Sequence, residues 1–154
     1  MSRRALLLLL VLLAGCGTEP AAAPKRAKPD AQQDHAAIQA RVAAYVKYML
    51  AGDGARACAQ FTPAYRRDLD ARAKDAGIGD CAEVLSAYGQ TVSTGMPKRF
   101  AADAAKPERV VVLQEGDTAQ ASVKSPSGGL SVKRTLLRRV GSQWLIDELG
   151  LSRG

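Results

Sequence analysis

Histidine is almost absent from this chain, with a single one among 154 residues, and cysteine is scarce at three. Protein metal centres draw most of their ligands from these types, so a multi-ligand site lacks its parts. His35 has no partner cluster, which also makes it a poor member of a catalytic triad. Aromatic residues make up only 5%, too few to interleave with the basic residues over a base-stacking surface. No Gly-x-Ser-x-Gly, glycine-rich phosphate loop or His-Glu-x-x-His occurs. Nucleophilic, phosphoryl-transfer and zinc chemistry therefore miss their usual frameworks. The longest apolar run, residues 5–13, is far short of the roughly 20 residues that cross a bilayer.

What remains is a balance of 47% hydrophobic and 24% charged residues, which suits a globular protein. With 28 alanines against two Phe and one Trp, the core must be built from Leu, Val, Ile and Ala. The length allows one ordinary domain with appendages.

The first residues bear on destination. Met1-Ser2-Arg3-Arg4 is a short basic start, the nine-residue apolar run follows, and Ala14-Gly15-Cys16 closes it. Basic, apolar, then small is the layout of a secretory signal. Leu13-Ala14-Gly15-Cys16 resembles the lipobox of bacterial lipoproteins. That resemblance implies that Cys16 takes a diacylglycerol, that residues 1–15 are removed, and that the chain is anchored to the outer face of the cell membrane. Two acyl chains on one residue suffice for stable anchoring. The paired arginines faintly resemble a twin-arginine signal, although two arginines are commonplace in a general secretory leader.

Loss of Arg3 and Arg4 with the leader lowers the formal charge from +7 to +5. An exported protein does not normally meet nucleic acid, and mild attraction to anionic headgroups accounts for the charge more simply. Residues 16–33 read as the lipidated Cys and a disordered tether. From 18 to 33 there are three prolines and no Leu, Ile, Val, Met or aromatic residue. The ordered domain is expected over 34–150.

Within it, Ile38, Val42, Tyr45, Val46, Met49 and Leu50 form one stripe of an amphipathic helix over 34–51, with Asp34 as its N-cap. Asp53 caps a short second helix. Thr62-Pro63 opens a third that runs to about 75, and Asp80 with Glu83 forms a capping box for a fourth. After Gly95-Met96-Pro97 the period changes. Residues 108–115, 118–125, 130–140 and 143–149 are strand-like, joined by turns short enough to require antiparallel neighbours. The expected fold class is α+β, with N-terminal helices packed on a curved antiparallel β-meander.

This element order, with the Cys58/Cys81 pair and the closing strand Trp144-Leu145-Ile146, is similar to the nuclear transport factor 2-like (cystatin-like cone) fold. More narrowly it resembles exported actinobacterial lipoproteins of that fold. The resemblance covers residues 34–149 and implies a helix-covered sheet with a cavity. The fold hosts isomerases, dehydratases, ligand carriers and interaction modules, so it does not choose among them.

Cys58 and Cys81 remain once Cys16 is lipidated, and two thiols in an oxidising compartment most simply form one structural disulfide. Fold relatives that move a proton beside a carbonyl pair a buried acid with a tyrosine. Tyr45 on the helix stripe and Asp147 in the last strand are the candidates here. Alternatively, Tyr45 is a core aromatic and Asp147 is solvated on the outer face. Arg134 either points into a cavity and meets an anionic ligand, or a bulge near Leu136-Leu137 turns it outward. Ala119, Ala121 and Val123 share a face and suit either a void or close helix packing. No cofactor is implied. Two functional readings follow: a non-enzymatic module binding an apolar small molecule or envelope protein, or a small isomerase- or dehydratase-like enzyme.

Overall fold

The structure is a computed structural model that describes residues 30–124 and 130–150, the side chains of 130–133 excepted. Helix α1 (Ala31–Leu50) opens on Asp30, whose carboxylate accepts from the Gln32 amide at 3.0 Å. It therefore starts three residues before the sequence reading, and residues 31–33 belong to the domain, not to the tether. Ala and Gln form helix well without contributing an apolar stripe, so periodicity alone starts the helix too late. Ile38, Val42, Tyr45, Val46 and Met49 bury the expected face.

The next three helices begin at the caps the sequence marks. The Asp53 carboxylate accepts from the Arg56 amide ahead of α2 (Gly54–Cys58). Thr62 Oγ1 accepts from the Tyr65 amide ahead of α3 (Pro63–Asp75), with proline in the first turn. Asp80 accepts from the Glu83 amide ahead of α4 (Cys81–Thr94). Cys58 and Cys81 are disulfide-bonded, with Cα atoms 6.2 Å apart, and tie α2 to the start of α4. Two glycines permit this approach. A Cβ on Gly54 would stand 1.8 Å from the Ala82 carbonyl oxygen, and one on Gly89 would stand 1.9 Å from that of Met49. The α4 backbone can thus close on both α2 and α1.

A fifth helix, α5 (Lys98–Ala104), and a 3₁₀ turn (Pro107–Arg109) occupy the stretch that the sequence reading leaves without structure. Helix α5 buries no residue fully and has no side-chain cap, so it carries neither local signal. Partly buried Ala104 and Ala105 pack on the core, and Asp103 pairs with Lys106 and Arg109. Tertiary contact holds it.

The sheet is a meander in the order β1 (Val110–Glu115), β2 (Thr118–Lys124), β3 (Leu130–Val140), β4 (Gln143–Leu149), antiparallel throughout. The first strand begins at 110 instead of 108 because the 3₁₀ turn absorbs the residues before it. Residue Ser125 and the expected turn at 125–129 lie outside the described residues. Residues 60–62 run along the outer edge of β4, where the Thr62 amide donates to the Ile146 carbonyl at 2.8 Å and the Ile146 amide to that of Gln60 at 2.9 Å.

The helices cover one face of the sheet, giving an α+β domain. Val110, Ala119, Ala121, Val123, Leu137, Trp144 and Ile146 are buried there against Ile38, Val42, Val46, Phe61 and Leu85. Each large side chain so buried contributes about 1.5–3 kcal/mol of transfer free energy. Ala119 and Ala121 are buried in this core cluster, their small side chains facing the helices.

Candidate functional site

Strand alternation sorts the sheet residues onto two faces, and the helices claim only one. The opposite face carries Val111 and Leu113 from β1, Gln120 from β2, Leu136 and Arg138 from β3, and Leu145 and Asp147 from β4. Leu113, Gln120 and Leu136 stand in one cross-strand row. Leu113 is 70% exposed and Val111 38%. A groove of about 500 Å³ opens on this face, lined by Leu113, Gln120, Leu136, Arg138 and Asp147.

Two irregularities shape it. The β3–β4 register shifts between Leu136 and Leu137, so Asp147 is the extra residue of a bulge in β4. The β2–β3 register also shifts, between Ala121 and Val123 and again before Lys124. Arg134 consequently lies exposed on the open face, its Nε donating to Gln120 Oε1 at 2.8 Å. It does not enter a helix-side cavity, so of the two readings for this residue the bulge holds.

Asp147 is half-buried and saturated. Arg138 Nε and Nη2 approach its Oδ2 at 2.9 and 2.8 Å, and the Thr62 hydroxyl donates to Oδ1 at 2.9 Å. Tyr45 lies on the other side of the sheet, buried against the Phe61 ring with centroids 5.4 Å apart. Burial pushes its hydroxyl pKa up, and nearby Tyr88 and Tyr65 add to that, so the phenol stays protonated. The acid and the tyrosine lie on opposite faces of the sheet and do not meet, the arrangement of the reading in which Tyr45 is a core aromatic and Asp147 faces outward. Alternation in β4 gives Trp144 and Ile146 to the core, which turns Asp147 outward.

One polar cluster escapes the sequence reading. Asp34, taken there as a helix cap, is buried four residues before Ile38 and in phase with the apolar stripe. Its carboxylate accepts from Trp144 Nε1 at 3.1 Å, from Gln114 Nε2 at 3.0 Å and from Arg139 Nη2. Arg139 also donates from Nε to Asp117 at 2.9 Å and lies over the Trp144 ring, 4.5 Å from its centroid. Burial alone would raise the Asp34 pKa, but the hydrogen bonds from Arg139, Trp144 and Gln114 outweigh it and hold the carboxyl below its ordinary range. The pair raises the Arg139 pKa in turn, led by the Asp34 hydrogen bond. The Asp34, Arg139 and Trp144 groups are engaged, while Gln114 Oε1 is buried without a partner among the described residues. The cluster thus fastens the start of α1 to both hairpins and offers no free acid or base. Its signal was the stripe, which Asp34 continues by one step.

His35 is exposed on α1, and among the described residues no group of three His, Cys, Asp or Glu side chains is placed to hold a metal ion. None of the described helices is long and apolar enough to cross a membrane. Cys16, the leader and most of the tether lie outside the described residues. The open face presents Leu113 and Leu136 beside the paired Arg138 and the Gln120 amide. No family model, curated protein or solved structure matches the chain.

Proposed function

We propose that this chain is an exported, lipid-anchored protein of the cell envelope whose domain, of nuclear transport factor 2-like type, binds an apolar small molecule or a protein partner through the open face of its sheet. The face itself carries the reading. Leu113 is 70% and Val111 38% exposed on this face, beside a groove of about 500 Å³, and clustered apolar exposure of this kind marks binding surfaces. The enzymatic alternative requires a poised acid beside a tyrosine. Here Asp147 spends its oxygens on Arg138 and Thr62, and Tyr45 lies across the sheet.

Anchoring rests on the lipobox-like Leu13-Ala14-Gly15-Cys16, and the proline-bearing tether behind it holds the domain clear of the bilayer. Membrane fractionation of Cys16→Ser tests this half: release of the domain, or an uncleaved precursor, supports it. Correct processing with normal membrane retention overturns it. Mass spectrometry of material carried by the detergent-extracted chain tests the other half. A small molecule or stoichiometric protein on the parent that is lost with Leu136→Glu supports the open face as the site. Equal occupancy of both, or of neither, overturns it.

A further inference from the structure

The two edges of the sheet are treated differently. Residues 60–62 cover β4, so its outward amide and carbonyl at Ile146 are paired. Strand β1 has no such cover. Its turn, Gly116 and Asp117, pairs Glu115 with Thr118, and a two-residue hairpin loop makes that a hydrogen-bonded pair. By alternation Leu113 and Val111 also bond inward to β2, while Val110, Val112 and Gln114 point their backbone groups away from the sheet. The Val110 carbonyl accepts from Gln39 Nε2 at 2.9 Å, and its amide donates to the Pro107 carbonyl. The outward backbone groups of Val112 and Gln114 have no partner among the described residues.

We infer that this edge is a self-association surface, on which β1 of a second copy of the chain pairs antiparallel across a two-fold axis at Val112. Unpaired main-chain donors and acceptors in a row select an extended strand as their occupant. Residues 110–114 contain no charge, proline or glycine, the usual devices that blunt an exposed edge. The segment is also complementary to itself. About that axis the two Val112 residues exchange both main-chain hydrogen bonds, and each Gln114 amide donates to the second lone pair of the partner's Val110 carbonyl. Val111 then stands directly beside Leu113 of the other copy on the open face, in the closer, non-bonded type of cross-strand pair. The pairing thus covers the most exposed large apolar side chain among the described residues and joins the two open faces into one continuous sheet surface. A closed two-fold contact pairs both edges at once and leaves none to propagate, with only the Gln114 carbonyl unmet because the facing Val110 amide already donates to Pro107.

Sedimentation equilibrium of the full chain in density-matched detergent tests this, at concentrations up to about 1 mM because an interface this small is transient. The parent is expected to show a monomer–dimer equilibrium. Leu113→Lys puts a charge on the edge at an exposed position and is expected to leave only monomer. Val112→Pro removes an outward amide and nothing from the β1–β2 ladder, with the same expected result. Trp144 fluorescence verifies folding; were the proline variant unfolded, the lysine variant would still decide. A Cys16→Ser background should give the parent's equilibrium, since the edge is independent of the anchor. A parent that stays monomeric throughout, or a dimer that survives Leu113→Lys, overturns the inference.

Discussion

Replacing Asp34 by Asn removes one charge from a cluster otherwise left intact. The Asp34 and Arg139 side chains are 8% and 13% exposed, so solvent screens the pair poorly. Removing one partner of a buried ion pair costs about 3–5 kcal/mol, mostly because the survivor is left uncompensated. Arg139 is not left alone, since it keeps Asp117 at 2.9 Å and the Trp144 ring face at 4.5 Å. The expected loss is therefore smaller, about 2–3 kcal/mol, or about 10 °C in Tm for a domain of this size. The new amide also presents donors toward a site that already receives three, from Arg139, Gln114 and Trp144. The pH dependence has a definite sign. Asp34 has a lowered pKa in the folded state, so its contribution is complete above the unfolded value of about 3.9 and is lost as pH falls through the folded one. The gap between parent and variant should be constant from pH 5 to 8 and narrow below about pH 4. The single Trp144, in contact with Asp34 and buried, reports denaturant unfolding of both proteins directly. A loss below about 0.5 kcal/mol at pH 7, or a gap that widens on acidification, would refute the account.

Other outcomes follow from the same contacts. Cys58→Ser should cost about 2–4 kcal/mol, and the double change with Cys81→Ser little more, because one bond is lost either way; two reactive thiols in unreduced mature protein would show that no bond forms. Tyr45→Ala should cost about 3 kcal/mol by opening a hole beside Phe61, measurable as a shift in denaturant midpoint. Asp147→Asn should cost under about 1 kcal/mol, since its Arg138 partner is 61% exposed at the side chain; a larger loss would mean that the bulge depends on this ion pair.

Much of the fold was legible because its signals are local. A cap is a side chain answering an amide two or three residues away, as at Asp53, Thr62 and Asp80, and those helices begin where the sequence says. The ends of β3 and β4 also match, because the hairpin between them turns on Gly141 and Ser142. Asp30 was overlooked for want of an apolar residue in its first turn. Helix α5 escaped because what holds it, contact of small alanines with the core and the ion pairs of Asp103, is not periodic.

The site followed the opposite rule. Strict alternation in the sequence puts Asp147 on one face with Leu145 and Leu149, but the bulge at Asp147 breaks it: Leu149 pairs with buried Thr135 and packs on the core. Both faces of that strand also read as apolar in sequence. Which one the helices cover depends on how α1 and residues 60–62 pack, and that packing buried Trp144 and Ile146 and left Asp147 to Arg138 and Thr62. Likewise the sequence determined that Asp34 lies in phase with Ile38, while only the fold brought Gln114, Arg139 and Trp144 to it across 80 to 110 positions of chain. Helix and turn formation answer to neighbours a few residues away; burial, pairing and an uncovered edge answer to surfaces that exist only once the chain has closed on itself.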